Sequence, residues 1–229
     1  MLSFLLLVEM GARLPEAAQP AMLVVKFLVP GSLILYFATQ GRYPELRGWK
    51  TSPGALSLDV LVGLLGAALW IGPFLVFPSL RPEPGGFDVE QLGAGSEWLA
   101  VSLRFVGYAL VTPFVEELFV RSWMLRFVEV NVKGGEYRGD FRKVPIAHFG
   151  WASCLITSAY FIFSHMPFEW GVMAAWTLLT MAWFYHRRHI GPLILVHAVT
   201  NGAILLFVAL SDGGVRDLGG QVVDLWFLV

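Results

Sequence analysis

Charge is scarce in this chain. Only 14% of its 229 residues are Asp, Glu, Lys or Arg, against about a quarter in an ordinary soluble domain. The apolar residues, 56% of the total, come in long blocks. Such blocks are the signature of membrane-spanning helices rather than of a rich soluble core. Cysteine is nearly absent: Cys154 stands alone, which excludes an intrachain disulfide and any multi-cysteine metal site. A formal net charge of −1 gives no sign of a nucleic-acid or acidic partner. The start, MLSFLLLVEMGARL, lacks a basic leading region, and its apolar run stops at Glu9. It therefore does not read as a signal peptide, but as a short or incomplete first helix. Internal repeats and low-complexity tracts are missing too. What is left is one integral membrane domain over 1–229, an all-α helical bundle.

The blocks that are present fit that reading. Segments 20–39, 56–79, 97–127, 147–166 and 190–210 are each near or above the ~20 residues that cross a bilayer core. A sixth, 170–185, is short but dense in Trp, Phe, Leu and Met, and must return the chain between its neighbours. The ends 1–9 and 222–228 are apolar but too short to cross. With six spans, loops 40–55, 126–146 and 186–189 share one side and hold ten basic residues, while the other side holds three, Arg13, Arg81 and Arg216. Basic loops stay in the cytoplasm, so an integral membrane protein with those three loops cytoplasmic is expected. Trp98, Trp123, Trp151, Trp170, Trp183 and Tyr185 fall near predicted span ends, where amphipathic rings favour the interface.

Within the spans stand Lys26, Arg104, Glu116, Glu117, Arg121, His165 and His197. An ionisable group at mid-membrane costs a few kcal/mol or more, so each needs a partner, a wet cavity or a route to the surface. Lys26 and Arg104 lie near a span end and read as structural. Glu117 and Arg121 are four apart with the acid first, the favoured helical ion-pair spacing. Glu116 is rotated by about 100° from Glu117 and points to a different neighbour. Phe161 and His165 share one helix face, as do His197 and Asn201. A carboxylate, two imidazoles and an amide could hold a divalent metal such as zinc, or activate a water directly; spacing does not choose between these. Each histidine alone is more often interhelical hydrogen-bond glue, and an acid–arginine pair alone is more often structural. Three polar sites on three spans of an otherwise apolar bundle favour a shared site. Straight spans would set His165 apart from the others by roughly 10–20 Å at the helical rise. Convergence therefore predicts a tilted or partly submerged helix that begins late, near Trp151.

Read in order, Glu116-Glu117-x-x-x-Arg121, Phe161-x-x-x-His165 and His197-x-x-x-Asn201 resemble the motifs of the CAAX protease and bacteriocin-processing family of intramembrane proteases. The resemblance covers about 112–202 within a motif-bearing part of about 97–210, and its layout is similar to the exosortase-associated bacterial branch. It implies an all-helical fold with a polar cavity opening toward the cytoplasmic side, and hydrolysis of a membrane-associated peptide or protein. It also implies that Glu116 is the base that activates water. Glu117 and Arg121 would hold the acid helix, and His165 would orient the water or bind a metal. His197 with Asn201 would stabilise the oxyanion. The basic loop VKGGEYRGDFRK looks like an insertion in that pattern. Two other readings compete: a non-catalytic relative that binds a membrane peptide, as in self-immunity, and a small transporter using Glu116, His165 and His197 as a relay. No broken-helix repeat supports the transporter, and the intact motif set favours the enzyme.

Overall fold

A computed structural model describes residues 6–7, 10–11, 13–83, 86–132, 137, 139–211 and 214–229. The expected segment 1–9 lies outside these apart from Leu6 and Leu7, and so does much of the loop 132–143. Among the described residues six longer helices are α1 (Gln19–Thr39), α2 (Pro53–Val76), α3 (Glu97–Asn131), α4 (Trp151–Phe163), α5 (Trp170–Arg187) and α6 (Ile190–Leu210). The all-α bundle is as expected. By length and composition, α1, α2, α3 and α6 are the four candidate membrane spans, while α4 is a shorter apolar helix. Local chemistry sets several boundaries. Ser52 caps α2, its Oγ accepting from the Ala55 N–H at 3.2 Å, and His189 Nδ1 caps α6 by accepting from the Gly191 N–H at 3.0 Å. Such caps satisfy donors that the first helical turn leaves free.

The length of α4 decides the depth of the site. Its 13 residues rise only about 20 Å, short of the ~30 Å of a bilayer core. Because α4 begins at Trp151, the turn that follows it brings His165 beside Trp70 and Phe161. The late entry predicted near Trp151 is what the fold uses.

Helix α6 runs through the middle, with most of its residues buried. It lies close against α2 because Gly63 and Gly66 present no side chain there: a Cβ on Gly63 would come within 2.6 Å of Val199, and one on Gly66 within 2.6 Å of Thr200 Oγ1. Small residues allow this approach in membrane bundles. It brings Thr200 Oγ1 within 2.9 Å of the Gly63 carbonyl, to which it donates. One apolar cluster gathers around Trp70, Phe74, Phe161, Trp176 and Leu205. A second surrounds Leu125, Phe184, Ile190 and Leu193. Between them runs a buried polar layer of Glu117, Arg121, Thr180, His197 and Thr200.

The loops sort to two ends. At one, Arg187 pairs with Asp59, Arg126 pairs with Glu45, and His189 Nε2 lies 3.1 Å from the Arg47 carbonyl. This is the end rich in basic residues. At the other, Arg81 pairs with Asp217 at 3.0 Å. The chain after α6 doubles back there through a bridge between Arg216 and Val222. The apolar end 222–228 joins the first core cluster through Val223, Leu225, Trp226 and Leu228.

Candidate active site

The acid helix α3 is not uniform. Two π-helical stretches, Val106–Val111 and Leu118–Met124, flank the α-helical segment Thr112–Glu117 that carries both glutamates. Wider π turns recur at functional sites in helices. Pro113 explains part of the first one. In the π register, where Thr112 N–H bonds back to the Gly107 carbonyl, the residue at 113 would serve the Tyr108 carbonyl, but proline has no N–H. Asn201 Nδ2 donates to that carbonyl instead, at 2.9 Å. One α6 side chain thus repairs a gap in α3 and is fixed by doing so.

Glu117 is fully buried, and its Oε1 takes two partners: Arg121 Nη1 at 3.3 Å and His197 Nδ1 at 2.8 Å. The ion pair with Arg121 is the one the spacing predicts. The bond to His197 is not: Glu117, as well as Glu116, faces a histidine. A carboxylate only accepts, so Nδ1 carries the proton and Nε2 is left for the cavity. Glu116 Oε2 lies 3.8 Å from that Nε2, beyond a hydrogen bond, and keeps some exposure. Arg121 also donates through Nη2 to Thr180 Oγ1 at 3.1 Å, and its Cζ sits 4.2 Å above the Phe161 ring. Its charge is therefore met by a carboxylate, a hydroxyl and a π face.

His165 lies two residues past the end of α4, where Nδ1 is 2.9 Å from the Phe161 carbonyl. A carbonyl cannot donate, so this nitrogen too holds the proton and Nε2 is free. The ring stands edge-on to Trp70 and Phe161, and the ring of His197 edge-on to Trp176.

Glu116, His165, His197 and Asn201 all line one cavity of about 210 Å³. Its wall also includes Tyr108, Glu169 and Arg104, none of which the motifs single out. Glu169 could have been noticed as an acid inside the apolar run MPFEW; its Oε2 accepts from the Met166 N–H at 2.9 Å. The cavity runs from mid-bundle toward the end poor in basic residues, where Arg104, His165 and Glu169 lie.

Among the described residues no three His, Cys, Asp or Glu side chains form a metal-holding group. Both Nδ1 atoms are engaged, which leaves Nε2 of each ring for the cavity, and Glu117 is taken up by Arg121 and His197. What the arrangement offers is a carboxylate and two oriented imidazoles around a small polar space, with an amide beside it.

These features define a class: a polytopic helical membrane protein with a polar cavity among its helices. Residues 98–203 match the family model described as type II CAAX prenyl endopeptidase Rce1-like. That stretch bears all three motifs, so this part of the chain is similar to that family. The match does not extend to the exosortase-associated branch. No curated protein and no solved structure matches the chain.

Proposed function

We propose that the chain is an intramembrane endopeptidase that hydrolyses a peptide bond of a membrane-associated protein or peptide by direct carboxylate catalysis. One observation carries this reading: Glu116, His165, His197 and Asn201, from two helices and an inter-helix turn, line one cavity. Glu116 takes a proton from a water in that cavity, and His165 Nε2, the free nitrogen of its ring, accepts the water's other hydrogen and orients it. The water oxygen bonds to the carbonyl carbon, and the carbonyl electron pair moves onto oxygen. Asn201 has one amide N–H left after serving Tyr108, a neutral donor suited to that oxyanion. His197 lines the same space, with its ring held by Glu117 at Nδ1. Collapse breaks the C–N bond as Glu116 returns its proton to the leaving amine.

With loops 40–55, 126–146 and 186–189 in the cytoplasm of a bacterial cell, the cavity extends from mid-membrane toward the opposite face. The test uses purified protein in detergent and a library of membrane-derived peptides. Cleavage that vanishes in Glu116→Ala and in His197→Ala, and that persists in the presence of a chelator, supports the reading. Variants that cut as well as the parent would remove the site assignment, and loss of cutting on chelation would remove the metal-free mechanism.

A further inference from the structure

The cavity that holds the candidate catalytic groups is partly filled by the chain itself. Phe227, Leu228 and Val229 form part of its wall. The segment is anchored at three points. Tyr108 Oη donates to the Leu228 carbonyl at 3.2 Å, and the Phe87 N–H donates to the Trp226 carbonyl at 3.1 Å. The Phe227 ring packs against Phe74 and Phe168, at centroid distances of 5.4 and 5.9 Å. Leu228 is 3% exposed.

Two further observations bear on what this segment does. The space left, about 210 Å³, is below the ~300–1,000 Å³ of sites that enclose a ligand. It suffices for water but not for a length of peptide. A second cavity of about 600 Å³ shares Arg104 and Val229 with the first. Val229 thus borders both spaces beside Arg104, and departure of the tail would open the first toward the second. Nor is the tail placed as a substrate. Residues Trp226–Leu228 form a 3₁₀ turn, closed by the Leu228 N–H on the Leu225 carbonyl at 3.0 Å, so the backbone is folded on itself and not laid open to attack.

We propose that residues 225–229 are an intramolecular plug: they occupy the binding groove for an apolar peptide segment, and a substrate enters only when they leave. The inference rests on the reading of the cavity as a peptide site. Affinity for a substrate is then lowered by the fraction of time the plug is out, and the Phe74–Phe168 pocket that holds Phe227 becomes available to an aromatic side chain of the substrate.

Gly86 provides a means of dislodging the plug without shortening the chain. It has φ +130°, and a Cβ there would run into the Trp226 backbone. The experiment uses the full chain with Cys154→Ser and Thr112→Cys, the latter placing a single thiol on the cavity wall. Alkylation by a water-soluble maleimide is timed in detergent, with helical content followed by circular dichroism. Gly86→Ala and, separately, Phe227→Ser should each speed labelling by roughly tenfold, the effect of releasing a site closed about nine-tenths of the time. The peptide Asp-Leu-Trp-Phe-Leu-Val added to the Phe227→Ser chain should slow labelling again. Labelling within twofold of the parent in whichever variant retains its helicity, or no protection by the peptide, would overturn the plug. Because the readout needs no proteolysis, a chain that opens as described but cuts nothing would sink the protease reading alone.

Discussion

Glu117 and His197 meet across the bundle, Oε1 of the one 2.8 Å from Nδ1 of the other. The same oxygen lies 3.3 Å from Arg121 Nη1. One buried carboxylate therefore fixes the charge of α3 and the tautomer of a histidine on α6. Glu116, next in sequence, has no such duty and faces the cavity. Under the proposed function, adjacent glutamates thus have separable roles, one in holding the site and one in its chemistry.

The two roles predict opposite outcomes for one chemical change. Glu116→Gln should leave thermal stability in detergent near that of the parent and lower peptide cleavage by about 10²–10⁴-fold, the usual worth of a general base. Glu117→Gln should lower stability by about 3–5 kcal/mol, because Arg121 is left as a buried charge without its partner. Thermal unfolding and cleavage rates measured side by side on both variants decide. A Glu116→Gln chain that unfolds earlier than Glu117→Gln would reverse the assignment.

Asn201 and Pro113 should be coupled. Asn201→Ala leaves the Tyr108 carbonyl buried without a donor, at a cost of about 1–3 kcal/mol. Pro113→Ala restores a backbone N–H that can serve the same carbonyl, so the cost of Asn201→Ala should shrink in that background. A double-mutant cycle on unfolding free energies checks this. Additivity within about 0.5 kcal/mol would mean that the two residues do not share the carbonyl.

Much of this was legible in the sequence, and the reasons are physical. Span positions follow from apolar length, and the sorting of basic loops to one end follows from alternation of six helices. The pairing of Glu117 with Arg121 is local to one helix, so spacing suffices for it. The contact of Glu117 with His197 joins residues 80 apart in the chain and depends on the π turns around Thr112–Glu117, which shift the helix face in a way that a uniform 100° step does not describe. Arg104 and Glu169 stand out locally only as charges in apolar surroundings and Tyr108 not at all, so nothing in the sequence joins them to the cavity that they line. The packing of 222–228 into the core was hidden for the same reason: an apolar end too short to span shows only that it must be buried somewhere.

The close approach of α2 and α6 predicts a difference between glycines of the same helix. Gly66→Ala would put a methyl 2.6 Å from Thr200 Oγ1 and should cost about 1–3 kcal/mol as an overpacked contact. Displacement of α6 should also weaken cleavage, since His197 and Asn201 ride on that helix. Gly72 has nothing within 4 Å of its Cβ position, so Gly72→Ala should be neutral or slightly stabilising, by up to about 1 kcal/mol of helix propensity. Equal effects of the two substitutions on the unfolding temperature would show that the helices are not in contact at Gly66.

Asp217 ties the returning chain to the end of α2, and this tie should fail in acid. Its Oδ1 accepts from the Gln221 N–H at 2.9 Å and its Oδ2 from Arg81 Nη2 at 3.0 Å, while Arg81 Nε donates to the Phe74 carbonyl at 2.8 Å. The backbone bond from Gln221, and then the Arg81 guanidinium, hold the carboxyl below its ordinary range. A carboxyl whose folded pKa lies below its unfolded value of about 3.9 binds fewer protons in the folded chain. Its contribution is therefore complete above that unfolded value and is lost as pH falls through the folded one. Unfolding temperatures measured from pH 6 down to pH 3 should drop more steeply below about pH 4 for the parent than for Asp217→Asn, which has no charge to lose. Arg81→Gln should flatten the same limb only in part, since the Gln221 bond remains. If parent and Asp217→Asn lose stability in parallel across that range, the acid limb comes from other carboxylates and the tie between Asp217 and α2 does not hold the segment that leads to Leu228.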